Sequence, residues 1–236
     1  MELKVIAENA SVLSYTDPQA FALLRRAGFG ASDSSILLGV NPFPDGKIEK
    51  LLEQKRSTVL TQSEIDIGNL VNVRKGADLE PIILRKFMEQ HNVHKDFIEK
   101  PTAMYRIGDT PLTVNFDGVM VVPPHSIPVE CKFISTYGAK YYNMSKATSD
   151  KYKLYDLSNL GTDVNALYLT RRAEEAGIPI YYYTQIQQQM LALDAPYGYL
   201  AALFDKDWEL RTFVVMADER VQQKLLEVAE YSWKMI

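Results

Sequence analysis

The feature that most constrains this 236-residue sequence is a pair of charged residues inside an apolar, β-rich segment at residues 126–135. Glu130 and Lys132 stand two positions apart, and side chains two apart on a strand project from the same face. Charges among apolar side chains are costly unless something compensates them. Glu-x-Lys alone is also typical of a solvated strand, so a functional site here needs support from other residues.

A second acid lies shortly before this segment. Asp117 is separated from it by the turn Pro123-Pro124, which predicts a hairpin. Asp117 and Glu130 could then converge on one cation, with the carbonyl of Cys131 as a third oxygen ligand. Lys132 would orient or activate a water, or neutralise charge on a phosphate. A structural zinc site takes four Cys or His ligands and would need all three histidines and the one cysteine, which disfavours zinc, so we expect Mg²⁺ or Mn²⁺, as one or two ions.

Two helices carry further polar residues suited to this chemistry. Glu80 immediately precedes Pro81 within a long helix predicted from near residue 67 to near residue 91. Gln185, Gln188 and Gln189 share one face of a helix predicted over residues 181–193, at i, i+3 and i+4. Glutamine can hold a water or a phosphate without adding charge.

The N-terminal part offers a phosphate-binding pattern. Arg25 and Ser32 flank a glycine-bounded turn into a helix N-terminus, where phosphates bind free N–H groups. Taken together over residues 20–204, the motifs resemble the lambda-exonuclease-like, YqaJ-type viral recombinase nucleases of the PD-(D/E)xK superfamily. The motifs, in chain order, are Arg25-x-x-Gly28-x-Gly30-x-Ser32-Asp33, Gly76-x-x-Leu79-Glu80-Pro81, Asp117-Gly118, Glu130-x-Lys132 and Gln185-x-Gln187-x-x-Met190.

The resemblance implies a role for each matching position. The implied activity is 5′→3′ degradation of one strand of linear double-stranded DNA, in partnership with a single-strand annealing protein and as a ring-shaped trimer. The chain departs from many relatives in lacking a histidine shortly before Asp117, and about fifty residues separate Lys132 from Gln185. The implied roles are metal-binding acids for Asp117 and Glu130 with the Cys131 carbonyl, catalytic lysine for Lys132, helix acid near the metals for Glu80, orienting glutamine for Gln185, and 5′-phosphate binding for Arg25 and Ser32.

The order of elements predicts a mixed α/β fold of α+β-like character, with one central mixed sheet flanked by helices as in PD-(D/E)xK nucleases. We expect a single nuclease domain over residues 1–236, with a core at about 20–216 and a C-terminal helix at 218–234. The remaining predicted elements are a helix at 18–27, a short helix after residue 32, a helix ending near 56, and strands at 102–107, 112–122, 126–135, 197–204 and 209–216.

Composition narrows the class of protein. Hydrophobic residues make up 47% and charged residues 24%, which excludes a disordered chain. The net charge of −4 argues against a protein that coats nucleic acid, although residues 130–153 hold five lysines against two acids, a local balance of 5 − 2 = +3. A single cysteine favours a reducing compartment, the bacterial host cytoplasm for a phage protein, and no apolar run is long enough to span a bilayer.

Two other functions fit the same residues, and a third does not. A structure- or sequence-specific endonuclease would use the same acids and lysine on another DNA substrate. An iron–sulfur exonuclease would need four cysteines, and the chain has one. A catalytically silent DNA-end-binding module would keep the scaffold without needing the acids.

Overall fold

A computed structural model describes residues 10–66, 68, 70–144 and 163–236. The α-helices in these ranges are α1 (Pro18–Arg26), α2 (Ser34–Leu37), α3 (Ile48–Arg56), α4 (Gln62–Ile65), α5 (Val71–His91), α6 (Ala166–Ala176), α7 (Ile180–Leu193) and α8 (Glu219–Trp233). The strands are β1 (Ala10–Leu13), β2 (Phe29–Gly30), β3 (Ile98–Glu99), β4 (Met104–Ile107), β5 (Leu112–Val114), β6 (Gly118–Val122), β7 (His125–Ile134), β8 (Tyr197–Phe204) and β9 (Leu210–Met216).

The predicted helix ends follow from capping. The Asp17 side chain accepts a hydrogen bond from the Ala20 N–H at 2.8 Å, and Pro18 opens α1 without losing a helical hydrogen bond. Asp218 caps α8 in the same way. The long helix α5 begins at Val71, later than predicted, and contains Pro81.

The prediction of one central sheet is wrong, because the strands form two sheets. Strand order is β1-β4-β5-β2 in one and β3-β6-β7-β8-β9 in the other. The predicted strand at 112–122 breaks at residues 115–117, so that β5 pairs in the first sheet and β6 in the second. Each sheet contains parallel and antiparallel pairs, which confirms the predicted mixed α/β class.

Strand β7 lies at the centre of the five-stranded sheet. It pairs antiparallel with β6 through the predicted hairpin and parallel with β8. Helix α7 packs on this sheet and also reaches the other one, where the side chain of Gln188 donates to the carbonyls of Phe29 and Thr113 at 3.0 and 2.9 Å. The arrangement therefore fixes α7 against β7 and holds both sheets to the same helix.

Helix α5 approaches β6 closely at Gly118. A Cβ atom at this position would lie 2.6 Å from Cδ2 of the buried Leu84 side chain. The missing side chain thus lets α5 rest directly against the residue that follows Asp117, which brings Glu80 toward β7.

Two segments left without detail by the sequence also have defined structure. The polar stretch after α3 folds into α4, whose Glu64 pairs with the buried Arg26 at 2.5 Å. The described part of the stretch after β7 forms a 3₁₀ turn at Gly138–Tyr141, followed after a gap by α6. Lys146, Lys151 and Lys153 of the predicted basic stretch lie outside the described residues. Within the described ranges, no helix combines the length and apolarity needed to cross a membrane.

Candidate active site

Glu130 is the buried centre of the site. Its side chain is 2% exposed, and both carboxylate oxygens accept hydrogen bonds. Lys132 and the Nε2 of Gln185 (2.5 Å) donate to Oε1, while the Nε2 of Gln189 donates to Oε2 at 2.5 Å. The predicted convergence of Glu130, Lys132 and Gln185 is present, and the donors compensate the cost of burying the charge.

Asp117 lies at the break between β5 and β6, directly before the paired residue Gly118. Its Oδ2 accepts a hydrogen bond from the Cys131 N–H at 2.8 Å, which ties the break to β7. Burial, followed by the charge of Glu130, raises the pKa of Asp117 to about 7, with a smaller contribution from Glu80. The site thus concentrates negative charge that a cation would stabilise.

One cavity joins Asp117, Glu80 and Lys132, whereas Glu130, bonded to Lys132, does not line it. It has a volume of about 540 Å³, and Glu80 contributes to its wall from α5 while its carboxylate pairs with Lys100 at 2.7 Å. The cavity is lined by Val73, Lys75, Gly76, Ala77, Glu80, Asp117, Cys131, Lys132, Phe133, Ser135, Tyr182 and Asp205.

Lys132 reaches the cavity as a cation. Burial alone would lower the pKa of its ammonium, but the carboxylates of Glu130 and Asp117 raise it above the ordinary value for lysine. The Nζ atom also lies 5.5 Å from the centre of the Tyr182 ring, on the same wall. The arrangement holds a fixed positive charge beside two acids, which suits the binding of a phosphate.

The donor set fits a hard divalent cation held by few protein ligands. Mg²⁺ is commonly bound by one or two carboxylates, with waters and substrate phosphate completing its shell. Glu130 uses three of about four acceptor positions, which leaves room on Oε2. Burial raises the pKa of the Cys131 thiol, so its sulfur is not a ready ligand. Within the part of the chain that the structure describes, no group of three or more His, Cys, Asp or Glu side chains is arranged to hold a metal ion.

Sequence reasoning missed the second glutamine on Glu130. Gln189 also donates to the carbonyl of Asn115 at 3.3 Å and so links the break between the sheets to β7. Its i+4 spacing from Gln185 was the available signal. Gln188 lies on the same predicted face but bonds Ser34 and the backbone of the other sheet, and it does not contact Glu130.

Arg25 and Ser32 do not line the cavity. Arg25 lies half-buried in the last turn of α1, with its guanidinium 6.0 Å from the ring centre of Phe21. Ser32 is exposed in the 3₁₀ turn before α2. Their assignment to a 5′-phosphate therefore remains a prediction.

Comparison with known proteins identifies the family of the chain. No curated protein sequence matches it significantly. It is similar in structure to the alkaline exonuclease LHK-Exo of Laribacter hongkongensis, with 12% identity over 92% of this chain and 95% of the other at a TM-score of 0.48. It is likewise similar to a phage-related exonuclease from Haemophilus somnus 129PT, with 13% identity over 91% and 97% of the two chains at a TM-score of 0.48. The resemblance drawn from the motifs is confirmed by a match of residues 20–195 to the YqaJ-like viral recombinase domain, and the chain belongs to that family.

Proposed function

We propose that this protein is a Mg²⁺-dependent exonuclease that degrades linear double-stranded DNA in the 5′→3′ direction, and that it serves recombination by strand annealing. The observation that carries the proposal is the convergence of Asp117, Glu80 and Lys132 on one cavity, with the buried Glu130 bonded to Lys132 beside it. Two acids and a lysine around a polar cavity are the groups that phosphodiester hydrolysis requires.

Asp117 and Glu130 would hold the metal, with Glu80 lining the same cavity as Asp117. When bound, the ion polarises the scissile phosphate and favours ionisation of an attacking water. Lys132 contributes a fixed cation for a non-bridging phosphate oxygen or for the water, since Glu130 anchors its ammonium. Gln185 and Gln189 hold the Glu130 carboxylate in one orientation, so that the site is organised before substrate arrives.

The direct test is digestion of linear duplex DNA, labelled at its 5′ or 3′ end, by the wild type and by Lys132→Ala with Mg²⁺ present. We expect Lys132→Ala to lose most of its activity, while Lys234→Ala, an exposed lysine at the end of α8, retains it. Full activity of Lys132→Ala would overturn the assignment of the site.

The choice of substrate separates the remaining readings. Closed circular DNA should survive, and its cleavage would instead indicate an endonuclease. A substrate without the 5′-phosphate should be degraded more slowly, and Arg25→Ala should remove that difference.

Calorimetric titration with Mn²⁺ tests whether the protein is a catalytically silent module, because binding that disappears in Asp117→Asn would place the metal at the acids. The trimer is tested by light scattering of the purified chain.

A further inference from the structure

The residues that follow β7 form an aromatic surface beside the cavity. Ser135 lines the cavity, and its backbone carbonyl and hydroxyl accept hydrogen bonds from the N–H groups of Ala139 and Gly138 at 3.1 and 3.2 Å. These bonds begin the 3₁₀ turn at Gly138–Tyr141. The turn therefore starts at the cavity rim.

One tyrosine next to the turn is buried, and two others are exposed to solvent. Tyr142 is 8% exposed and packs edge-on against Phe204, with ring centres 5.4 Å apart. Tyr137 and Tyr141, by contrast, are 73% and 55% exposed. The buried ring fixes the turn against the five-stranded sheet, and the two exposed rings are thereby presented to solvent from a fixed base.

A lysine lies between the two exposed rings. The Nζ atom of Lys140 is 3.9 Å from the ring centre of Tyr137 and 5.0 Å from that of Tyr141. Both distances are within the range of cation–π attraction. Two rings with a cation between them offer stacking faces and a charge for a phosphate in one place.

Further aromatic rings connect this turn to the site. Tyr182 lines the cavity, and its ring centre lies 4.4 Å from that of Tyr181. Tyr181 in turn contacts Phe43 at 5.3 Å. Burial and the neighbouring phenols Tyr182 and Tyr141 raise the pKa of Tyr181. Tyr141 of the turn is therefore a neighbour of Tyr181.

We propose that Tyr137, Lys140 and Tyr141 form a stacking platform for the unpaired bases of a DNA strand whose backbone enters the cavity. The proposal rests on the proposed nuclease function. Aromatic faces accept any base, and an adjacent lysine follows the backbone, which is the pattern of single-strand binding without sequence preference. The platform would keep the strand from re-pairing at the site of hydrolysis.

The test measures binding without hydrolysis. A short single-stranded oligonucleotide carrying 2-aminopurine is titrated in EDTA, and its anisotropy and fluorescence quenching are recorded. Stacking of one base is worth about fivefold to a hundredfold in affinity. We therefore expect the double variant Tyr137→Ala/Tyr141→Ala to bind at least about tenfold more weakly and to lose the quenching, with an unchanged melting temperature because both rings are exposed.

Two matched variants define the outcome. Tyr137→Phe/Tyr141→Phe keeps the rings and should bind as the wild type does. Tyr231→Ala removes an equally exposed tyrosine, 67% accessible on α8, and should have no effect. Unchanged affinity of the double alanine variant, or equal weakening by the phenylalanine pair, overturns the platform. If the wild type degrades duplex DNA in either case, only the platform fails, whereas a wild type without activity or DNA binding overturns the nuclease as well.

Discussion

At the residue scale, the site depends on a carboxylate that could not be buried alone. Glu130 is 2% exposed in the middle of a five-stranded sheet, and three donors hold its two oxygens. Removing one donor from a buried charge leaves it partly uncompensated, which costs more than the hydrogen bond itself is worth. The glutamines are thus positioning residues whose loss should disturb the geometry of Glu130.

Gln189→Met tests this role. The substitution keeps the volume of the side chain and removes the donor to Oε2, which costs about 1.5–3 kcal/mol for a bond to a charged group. We expect a DNA cleavage rate at least about tenfold lower, with little change in KM, because Glu130 would no longer be held in one orientation. Single-turnover kinetics with saturating enzyme would measure this loss.

Gln188→Met is the matched control. Gln188 is adjacent on α7 and equally buried, but it bonds the carbonyls of Phe29 and Thr113. This variant should have a lower melting temperature and a cleavage rate within about threefold of the wild type well below that temperature, since it removes the donor from two backbone carbonyls and leaves no charge uncompensated. Equal loss of rate in both variants would contradict a positioning role for Gln189.

The residues around Glu130 show which contacts of the site can be predicted from the sequence and which cannot. The two-residue period of a strand predicts that Glu130 and Lys132 share a face, and the structure confirms it. Helical spacing places Gln185, Gln188 and Gln189 on one side of α7 but does not say which of them meets β7. That choice depends on the rotation of α7 between two sheets, a tertiary property.

At the scale of elements, the break at residues 115–117 matters most. The Val- and Thr-rich segment 112–122 predicts one strand, yet the chain changes sheets at residues 115–117, and Asp117 occupies the crossing. Asn115, Asp117 and Gly118 disfavour strands and are a local signal for a break, but they do not reveal that the two halves enter different sheets. Gly118 provides the physical reason for this geometry, since it lets Leu84 of α5 approach.

Gly118→Ala should move α5 away from the site. The added methyl group would overlap Leu84, and such overpacking costs about 1–3 kcal/mol. We expect a lower free energy of unfolding in urea and a lower cleavage rate, because Glu80 is carried by the same helix. Leu84→Ala alone should also destabilise the fold by leaving a cavity, but the double variant should lose less than the sum of the two single losses, and purely additive effects would argue against the contact.

The pairing of α4 with α1 should make stability depend on pH. Burial would raise the pKa of Glu64, but hydrogen bonds from Arg26, Thr61 and Gln54 lower it to about 2 from 4.5. A carboxyl whose folded pKa is depressed stabilises the fold above its unfolded pKa and loses that contribution as the pH falls. The difference of about 2.5 units corresponds to about 3 kcal/mol, which should be present at pH 7 and decline from about pH 5 toward pH 2.

Glu64→Gln measures this contribution. The variant should be less stable than the wild type in urea unfolding at pH 7, and the gap should narrow at pH 3. If the difference in the free energy of unfolding stays constant between pH 7 and pH 3, folding does not lower the pKa of Glu64, and the prediction is wrong. Glu230→Gln, on the exposed side of α8, serves as the control and should change stability little at any pH.

At the scale of the whole molecule, the distribution of charge predicts how the proposed DNA substrate would bind. The net charge is −4, so bulk attraction to DNA is weak. Cations nevertheless gather at the site: Lys75 and Lys132 line the cavity, and Lys140 lies between the platform tyrosines. A bound metal cation would offset the negative charge of the neighbouring acids. The affinity for DNA should therefore depend on these local lysines and on the metal.

Salt dependence separates local from bulk charge. The logarithm of affinity falls with the logarithm of salt concentration by about 0.9 for each phosphate contact on duplex DNA. Lys75 is exposed on α5, with its Nζ 4.2 Å from the ring centre of Phe133 at the cavity wall. Lys75→Gln should therefore reduce the magnitude of this slope by about one and weaken binding to all duplex sequences alike.

Lys234→Gln changes the net charge by the same amount at an exposed position beyond α8, outside the cavity. If only local charge matters, this variant keeps the slope of the wild type, because no phosphate reaches it. Anisotropy titrations with a labelled duplex at several salt concentrations, in Ca²⁺ to limit cleavage, would measure both variants. Equal reductions in slope would instead mean that total charge governs binding. That result would contradict entry of the DNA backbone at the cavity.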